Sequence, residues 1–193
     1  EVIRTTVFGS GKAIPTKGES SIVTAEAALG FIRKHARGEQ PFLAVVWFGS
    51  PHNPHLAIEE DRAHYTAHPE SLQHFYGEIT GMDRAFGNLR SFLKDQRIRE
   101  NTILWYCSDN GGLPRVGSTG GRGHKGQIYE GGLRVPALLE WPARYSQHFS
   151  VSAPVNTSDI FPTLLEITGI KADTGRILDG ISLLPALNGT VDE

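Results

Sequence analysis

Cysteine is nearly absent: Cys107 stands alone in 193 residues, which excludes an internal disulfide and leaves the redox compartment unread. Methionine is as scarce, with Met82 the single example, and the chain opens Glu1-Val2-Ile3-Arg4. Neither an initiator nor a signal peptide stands at this start, so the sequence is expected to be a piece of a longer protein. An excess of one charge is missing too. Lysine and arginine number 19 and aspartate and glutamate 21, a net charge of −2 that offers no field to nucleic acid or an anionic membrane. The longest apolar runs are strand-sized, so none suits a bilayer-spanning helix. What is present is ordinary: 39% hydrophobic and 21% charged residues, in a chain long enough for one domain with a sizeable core.

Residues 1–20 are polar, rich in glycine and lysine, and read as a loop or poorly ordered lead-in. Thr24 is placed to cap a helix running to about Arg37, with Ala28, Leu29 and Ile32 inside and Gly38 as its stop. Pro41 introduces Phe42-Leu43-Ala44-Val45-Val46-Trp47-Phe48, a continuous apolar run that suits a strand covered on both faces, as in parallel sheets. It ends in Gly49-Ser50-Pro51-His52-Asn53-Pro54-His55, a loop punctuated by prolines. From Ser71 to Asp95, Leu72, Phe75, Ile79, Met82, Phe86, Leu89, Phe92 and Leu93 form one stripe down a long helix. A strand over Thr102 to Ser108 follows, then a glycine-rich loop from Asp109 to Gly126. Leu133 to Leu139 reads as a further strand, at an edge because Pro136 interrupts it. Ser158 or Asp159 caps a short helix to Thr168, which Gly169 ends. The alternation predicts an α/β sheet flanked by helices.

In such sheets ligands gather beyond the carboxyl ends of the strands, where His52 and Asp109 both fall. Asp109 offers a carboxylate and Asn110 a neutral carbonyl, hard donors that suit calcium or magnesium, and Gly111-Gly112 lets the backbone turn away at once. Asn-Gly is also a common hairpin turn, so the residues alone leave both readings open. Lys125, between Gly123-His124 and Gly126, can bring a compact positive charge to an anion. His52 can hold an imidazole toward an anion or a leaving group, with His55 and His124 as neighbours of the same kind. A His52-x-x-His55 zinc site lacks a third nitrogen or sulfur ligand at a fitting spacing. Glu130 and Arg134 are read as a brace for their loop, Asp159 as a helix cap and Asp83 as a solvated or structural acid.

Eight segments recur here in one order: Ser50-Pro51-His52-x-Pro54, Gly81-Met82-Asp83, Asn101-Thr102-Ile103, Ser108-Asp109-Asn110-Gly111, Gly123-His124-Lys125-Gly126, Tyr129-Glu130-Gly131-Gly132-x-Arg134-Val135-Pro136, Trp141-Pro142 and Asp159-Ile160-Phe161-Pro162-Thr163. The series resembles the sulfatases of the alkaline phosphatase superfamily, near the arylsulfatase and iduronate-sulfatase type. The resemblance implies an alkaline-phosphatase-like α/β fold with a mixed, mostly parallel sheet, present here as a partial domain. It implies hydrolysis of aryl or carbohydrate sulfate esters by a formylglycine nucleophile beside calcium. Asp109 and Asn110 match the later pair of metal ligands, Lys125 the lysine on the sulfate and its bridging oxygen, and His52 the sulfate-binding histidine that protonates the leaving alcohol. An extracytoplasmic home, periplasmic, secreted or lysosomal, is implied as well.

The departures from that pattern set further expectations. The Cys/Ser-x-Pro-x-Arg segment that yields formylglycine is missing, as are the early adjacent aspartates and the Gly-Lys-x-His segment; Cys107 is not the nucleophile. Residues 21–187 are therefore expected to be the later portion of a catalytic domain, with 188–193 a tail and the C-terminal subdomain absent. Such a chain should bind calcium weakly, lack turnover by itself and expose apolar surface that aggregates or captures a partner. Two alternatives share these motifs: a phosphodiesterase or phosphonate hydrolase of the same superfamily, and a non-catalytic module that binds sulfated glycans.

Overall fold

The computed structural model describes residues 6–9, 12–117, 120–171, 175 and 177–190. They divide into two units, Glu1–Tyr145 and Ser146–Glu193. In the first unit, strands β1 (Thr6–Gly9) and β2 (Lys12–Pro15) pair antiparallel, with Thr6 opposite Pro15. The lead-in read as a loop therefore contains a hairpin.

Helix α1 spans Ser20–His35, four residues ahead of the expected start. Glu19 is its N-cap: the carboxylate accepts Ser21 N–H at 3.0 Å and Ile22 N–H at 2.8 Å. A negative cap there also suits the helix dipole. Thr24 does not cap; its hydroxyl donates back to Ser20 O at 2.8 Å, the i−4 bond open to a threonine inside a helix. After the short α2 (Glu59–Arg62), the long α3 runs Glu70–Asp95, within a residue of its expected span.

The packed face of α3 differs from the hydrophobic stripe. Phe75, Leu89 and Leu93 are buried as expected, but Gly77, Glu78, Gly81 and Ala85 are buried with them, whereas Ile79 stays 37% exposed. Small residues explain the shift, because they let α1 approach closely, and a count of large apolar side chains passes over them. Ala25 and Ile32 of α1 meet Ala85, Leu89 and Leu93 of α3 in one buried cluster, with Phe42, Phe48 and Leu104 against it. At Gly81 a Cβ would come within 2.9 Å of the Glu19 carboxyl carbon. Below the cluster, buried Asp61 of α2 receives both Arg84 terminal nitrogens, at 2.6 and 2.8 Å. That bond and burial on opposite scales leave the Arg84 guanidinium raised above its ordinary value.

Two strand expectations need correction. Phe42–Phe48 is extended but belongs to no sheet: its side chains alternate, Phe42, Ala44, Val46 and Phe48 half-buried and Leu43, Val45 and Trp47 exposed. One face meets the helical core and no described strand runs alongside, so the ladder that would make it a strand is not formed. Second, the described strands form two antiparallel pairs, and a mostly parallel sheet is not formed among the described residues. Strand β3 (Leu104–Cys107) pairs with β4 (Ala137–Glu140), Leu104 opposite Glu140 and Cys107 opposite Ala137. The second strand begins after Pro136, which has no N–H to give a ladder. Glu140 anchors it, taking Arg90 at 2.7 Å and Arg99 at 2.6 Å. Burial alone would raise the Glu140 carboxyl, and the two guanidiniums hold it below its ordinary value instead.

In the second unit, an Asn156/Asp159 capping box opens helix α5 (Ile160–Thr168), and Gly169 ends it at φ 68°. Buried Asp159 accepts Asn156 N–H and Ile181 N–H, at 2.8 and 2.9 Å, as the closing member of the capping box. Asn156 takes the cap expected of Ser158 or Asp159, and Asp159 makes no side-chain cap bond to α5. Buried Thr163 receives Leu183 N–H at 2.8 Å. Among the described residues no helix is long and apolar enough to cross a membrane.

Leu89 is the test of this core. Leu89→Ala is expected to lower unfolding free energy by about 2–5 kcal/mol, read as a fall in the denaturant midpoint at unchanged slope. Ile79→Ala, on the exposed flank of the same helix, is expected to cost below about 1 kcal/mol.

Candidate active site

Strand β3 delivers the first loop. Ser108 N–H still reaches Pro136 O at 3.3 Å, and the chain then leaves the pair at Asp109. Asp109 is exposed and Asn110 half-buried. The Asn110 amide nitrogen donates to Gly111 O at 3.1 Å, so the oxygen is the atom this side chain has to offer a cation. Ser108 Oγ donates to Asn110 O at 3.0 Å and tightens the turn.

The second loop is fastened to the first by main chain. Lys125 N–H donates to Gly112 O at 2.9 Å and Gly111 N–H to Gly132 O at 3.0 Å, while Gly131 N–H to Arg122 O at 2.7 Å closes the second loop on itself. The approach is so close that a Cβ on Gly111 would overlap Gly131 O. Only glycine fits there. Lys125 is half-buried, and beside it His124 Nδ1 donates to Lys125 O at 2.9 Å. Arg122 lies 4.1 Å over the Tyr129 ring, a cation–π contact at the neck of the loop. Glu130 and Arg134, read as a brace, approach only to 3.7 Å and are both well exposed, so they fasten little. The glycine contacts do that work, across helix α4 (Glu130–Leu133).

The third loop carries His52. Its backbone N–H donates to Gly49 O at 3.2 Å and its Nδ1 donates to Asn53 O at 2.9 Å. That leaves Nε2 as the nitrogen for proton exchange, on an exposed ring. His55 differs. Its ring lies 5.1 Å from the Phe75 ring and its Nε2 is buried without a partner. Burial pushes its pKa down, against the Pro51 carbonyl that favours the charged form. His55 is thus a neutral packing residue, and His52 is the one presented outward.

Lys125 is therefore held to the Asp109–Asn110 turn directly. The link from His52 is indirect: His55 stacks on Phe75, and Gly117 of the first loop sits on the same ring, so close that a Cβ would come within 2.7 Å of Cζ. No group of three or more His, Cys, Asp or Glu placed to hold a metal occurs among the described residues. Asp109 and Asn110 are two hard oxygen donors against the six to eight calcium takes, so they fit part of such a site.

The Sulfatase family model matches residues 4–170. The chain belongs to the sulfatase family. Steryl-sulfatase of Rattus norvegicus is 32% identical over 186 residues, covering 91% of this chain and 31% of that protein. The crystal structure of Ps i-CgsB in complex with k-i-k-neocarrahexaose superposes with a TM-score of 0.87 at 28% identity, over 96% of this chain and 42% of that one. PsFucS1 sulfatase from Pseudoalteromonas sp. gives 0.74 at 25% identity, over 89% and 36%. This sulfatase chain spans about one-third of the length of the curated relative it matches.

Two acids of this chain escaped sequence reasoning. Glu19 and Glu78 are both buried and adjoin a cleft of about 780 Å³ lined also by Ser20, Ser50, His52 and Trp47. The available signal was a glutamate inside an apolar helical stripe, three residues before a glycine. Burial pushes the Glu78 carboxyl from 4.5 up to about 7, the Leu56 N–H works against that, and the Glu19 charge adds to it. A raised acid gives stability that is complete below pH 4.5 and lost as pH rises toward 7. Glu78→Gln should leave unfolding free energy alone at pH 4 and raise it, relative to the parent, by up to about 3 kcal/mol above pH 7, read from urea melts across that range.

Proposed function

We propose that this chain is the later portion of the catalytic domain of a sulfuric ester hydrolase that acts on aryl or carbohydrate sulfate esters. What carries the reading is the Lys125-to-Gly112 hydrogen bond, which fastens an ammonium loop to the turn bearing Asp109 and Asn110. Membership of the sulfatase family supplies the reaction class.

In this reading Lys125 meets the sulfate oxygens and the bridging oxygen, and its charge offsets the negative charge that grows there as the S–O bond breaks. His52 binds the same anion and gives a proton from Nε2 to the departing alkoxide, its ring orientation fixed by Nδ1–H on Asn53 O. Asp109 and Asn110 would hold a calcium ion together with ligands from outside this chain. Bound there, the ion would supply charge stabilisation to the sulfate. The formylglycine nucleophile also lies outside residues 1–193, so this chain alone binds and positions but does not turn over. An extracytoplasmic location belongs to the same proposal.

In the full-length protein, His52→Ala and Lys125→Ala should each lower kcat/KM for an aryl sulfate by roughly 10²–10³-fold. Asp109→Ala should lower activity and bound calcium together, measured by metal analysis of the purified protein. Full activity in the His52 and Lys125 variants would refute the roles given them. Sulfate release by residues 1–193 alone would refute the placement of the nucleophile elsewhere.

A further inference from the structure

Glu78 is a buried acid that the roles above leave without a task. It is 7% exposed, on a face of α3 otherwise filled by Phe75, Gly81 and Ala85. A carboxyl in such a setting needs a specific partner. Oε1 has one, accepting Leu56 N–H at 2.7 Å across 22 residues of sequence, while Oε2 is buried with none. Leu56 closes the segment His52-Asn53-Pro54-His55-Leu56, whose near end is held by His52 N–H on Gly49 O. The far end has Glu78. Both His52 and Glu78 line the same cleft.

We propose that Glu78 is a positioning residue for His52, anchoring the far end of its loop to α3 through Leu56 N–H. The inference rests on the reading of His52 as the group that meets the sulfate and the leaving oxygen. Glu78 itself touches neither. Its neutral form suits the task. Burial favours the neutral form of Glu78, which keeps Oε1 as the acceptor for Leu56 N–H and carries one O–H donor, while Glu19 accepts Ser21 and Ile22 N–H. Glutamine reproduces that pattern of donor and acceptor; leucine keeps the size and removes both.

The test compares Glu78→Leu and Glu78→Gln in the full-length protein, with His52→Ala beside them. Two readouts are needed: steady-state hydrolysis of an aryl sulfate, and hydrogen exchange of the Leu56 amide. Glu78→Leu is expected to lower kcat about 10–100-fold with KM within about threefold, as a misplaced catalytic group does, and to speed Leu56 exchange at least about tenfold. Glu78→Gln is expected to restore both to within about threefold of the parent. A folded Glu78→Leu protein with parental kcat overturns the proposal, whatever its exchange rate. If Glu78→Leu does not fold, a tenfold or greater loss of kcat in folded Glu78→Gln overturns it, and retention of kcat with slow Leu56 exchange supports it. Parental activity in His52→Ala strikes instead at the role of His52, and the Leu56 exchange still reports whether the anchor exists.

Discussion

One face of one helix does two jobs in the first unit, and the rest follows from that constraint. Along α3, Ala85, Leu89 and Leu93 close the core against α1, while Gly81 meets the Glu19 cap and Glu78 and Phe75 reach the loop that carries His52. From Phe75 to Leu93 the helix is a rod of about 27 Å at 1.5 Å per residue. A rod transmits displacement. Loss of packing at Leu89 therefore moves the seat of Phe75, on which His55 and Gly117 both rest. The buried small residues at Gly81 and Ala85 are the condition for this arrangement, since a larger side chain would push α1 and its Glu19 cap away.

The candidate site itself is held by backbone. Two N–H···O=C bonds join the Asp109–Gly112 turn to the Arg122–Gly132 loop, and a third, from Gly131 N–H to Arg122 O, closes that loop on itself. Main-chain fastening leaves the Asp109 carboxylate and the Lys125 ammonium out of the joint, while the His124 and Arg122 side chains brace the loop. It also explains the density of glycine in these two segments. The exposed Glu130–Arg134 pair adds little by comparison, with solvent screening both charges.

Much of this was legible from residue order. The span of α3, the strand ending at Cys107, and the α5 helix stopped by Gly169 all carry local signals, a periodic stripe, a β-rich run and a left-handed cap. Asp109, Asn110, Lys125 and His52 stand out as candidates in the sequence because each sits in a short pattern of glycine or proline. What escaped was non-local. Glu19 takes the cap in place of Thr24 because Thr24 satisfies its hydroxyl within the helix. The buried face of α3 turned toward its small residues because the partner helix, not hydrophobicity, selects the face. Glu78 looked like one polar residue in an amphipathic helix, and its bond to Leu56 spans 22 positions that no periodicity connects. The Phe42–Phe48 run was read as a ladder strand, but composition reports only that both faces suit apolar cover. It does not report which neighbours supply hydrogen bonds.

That last distinction bears on how His52 is held. The extended segment that leads to it is supported on one side only: Phe42 and Phe48 press on the core, while Leu43, Val45 and Trp47 point away, Trp47 at 87% exposure. A central strand would fix the following loop through hydrogen bonds to both neighbours. Among the described residues no ladder pairs this segment, and three contacts reach the loop from the helices: Ser20 Oγ with Ser50 Oγ at 3.1 Å, the His55 ring on Phe75 and Leu56 N–H on Glu78. The two from α3 differ in kind. A ring contact tolerates sliding, since dispersion between flat surfaces changes slowly with lateral shift. A hydrogen bond at 2.7 Å to a buried acceptor does not, because geometry and desolvation both penalise its loss. Of the two contacts from α3, the Leu56 N–H bond to Glu78 is therefore the one that resists sliding of the loop, and the ring contact the one that permits it.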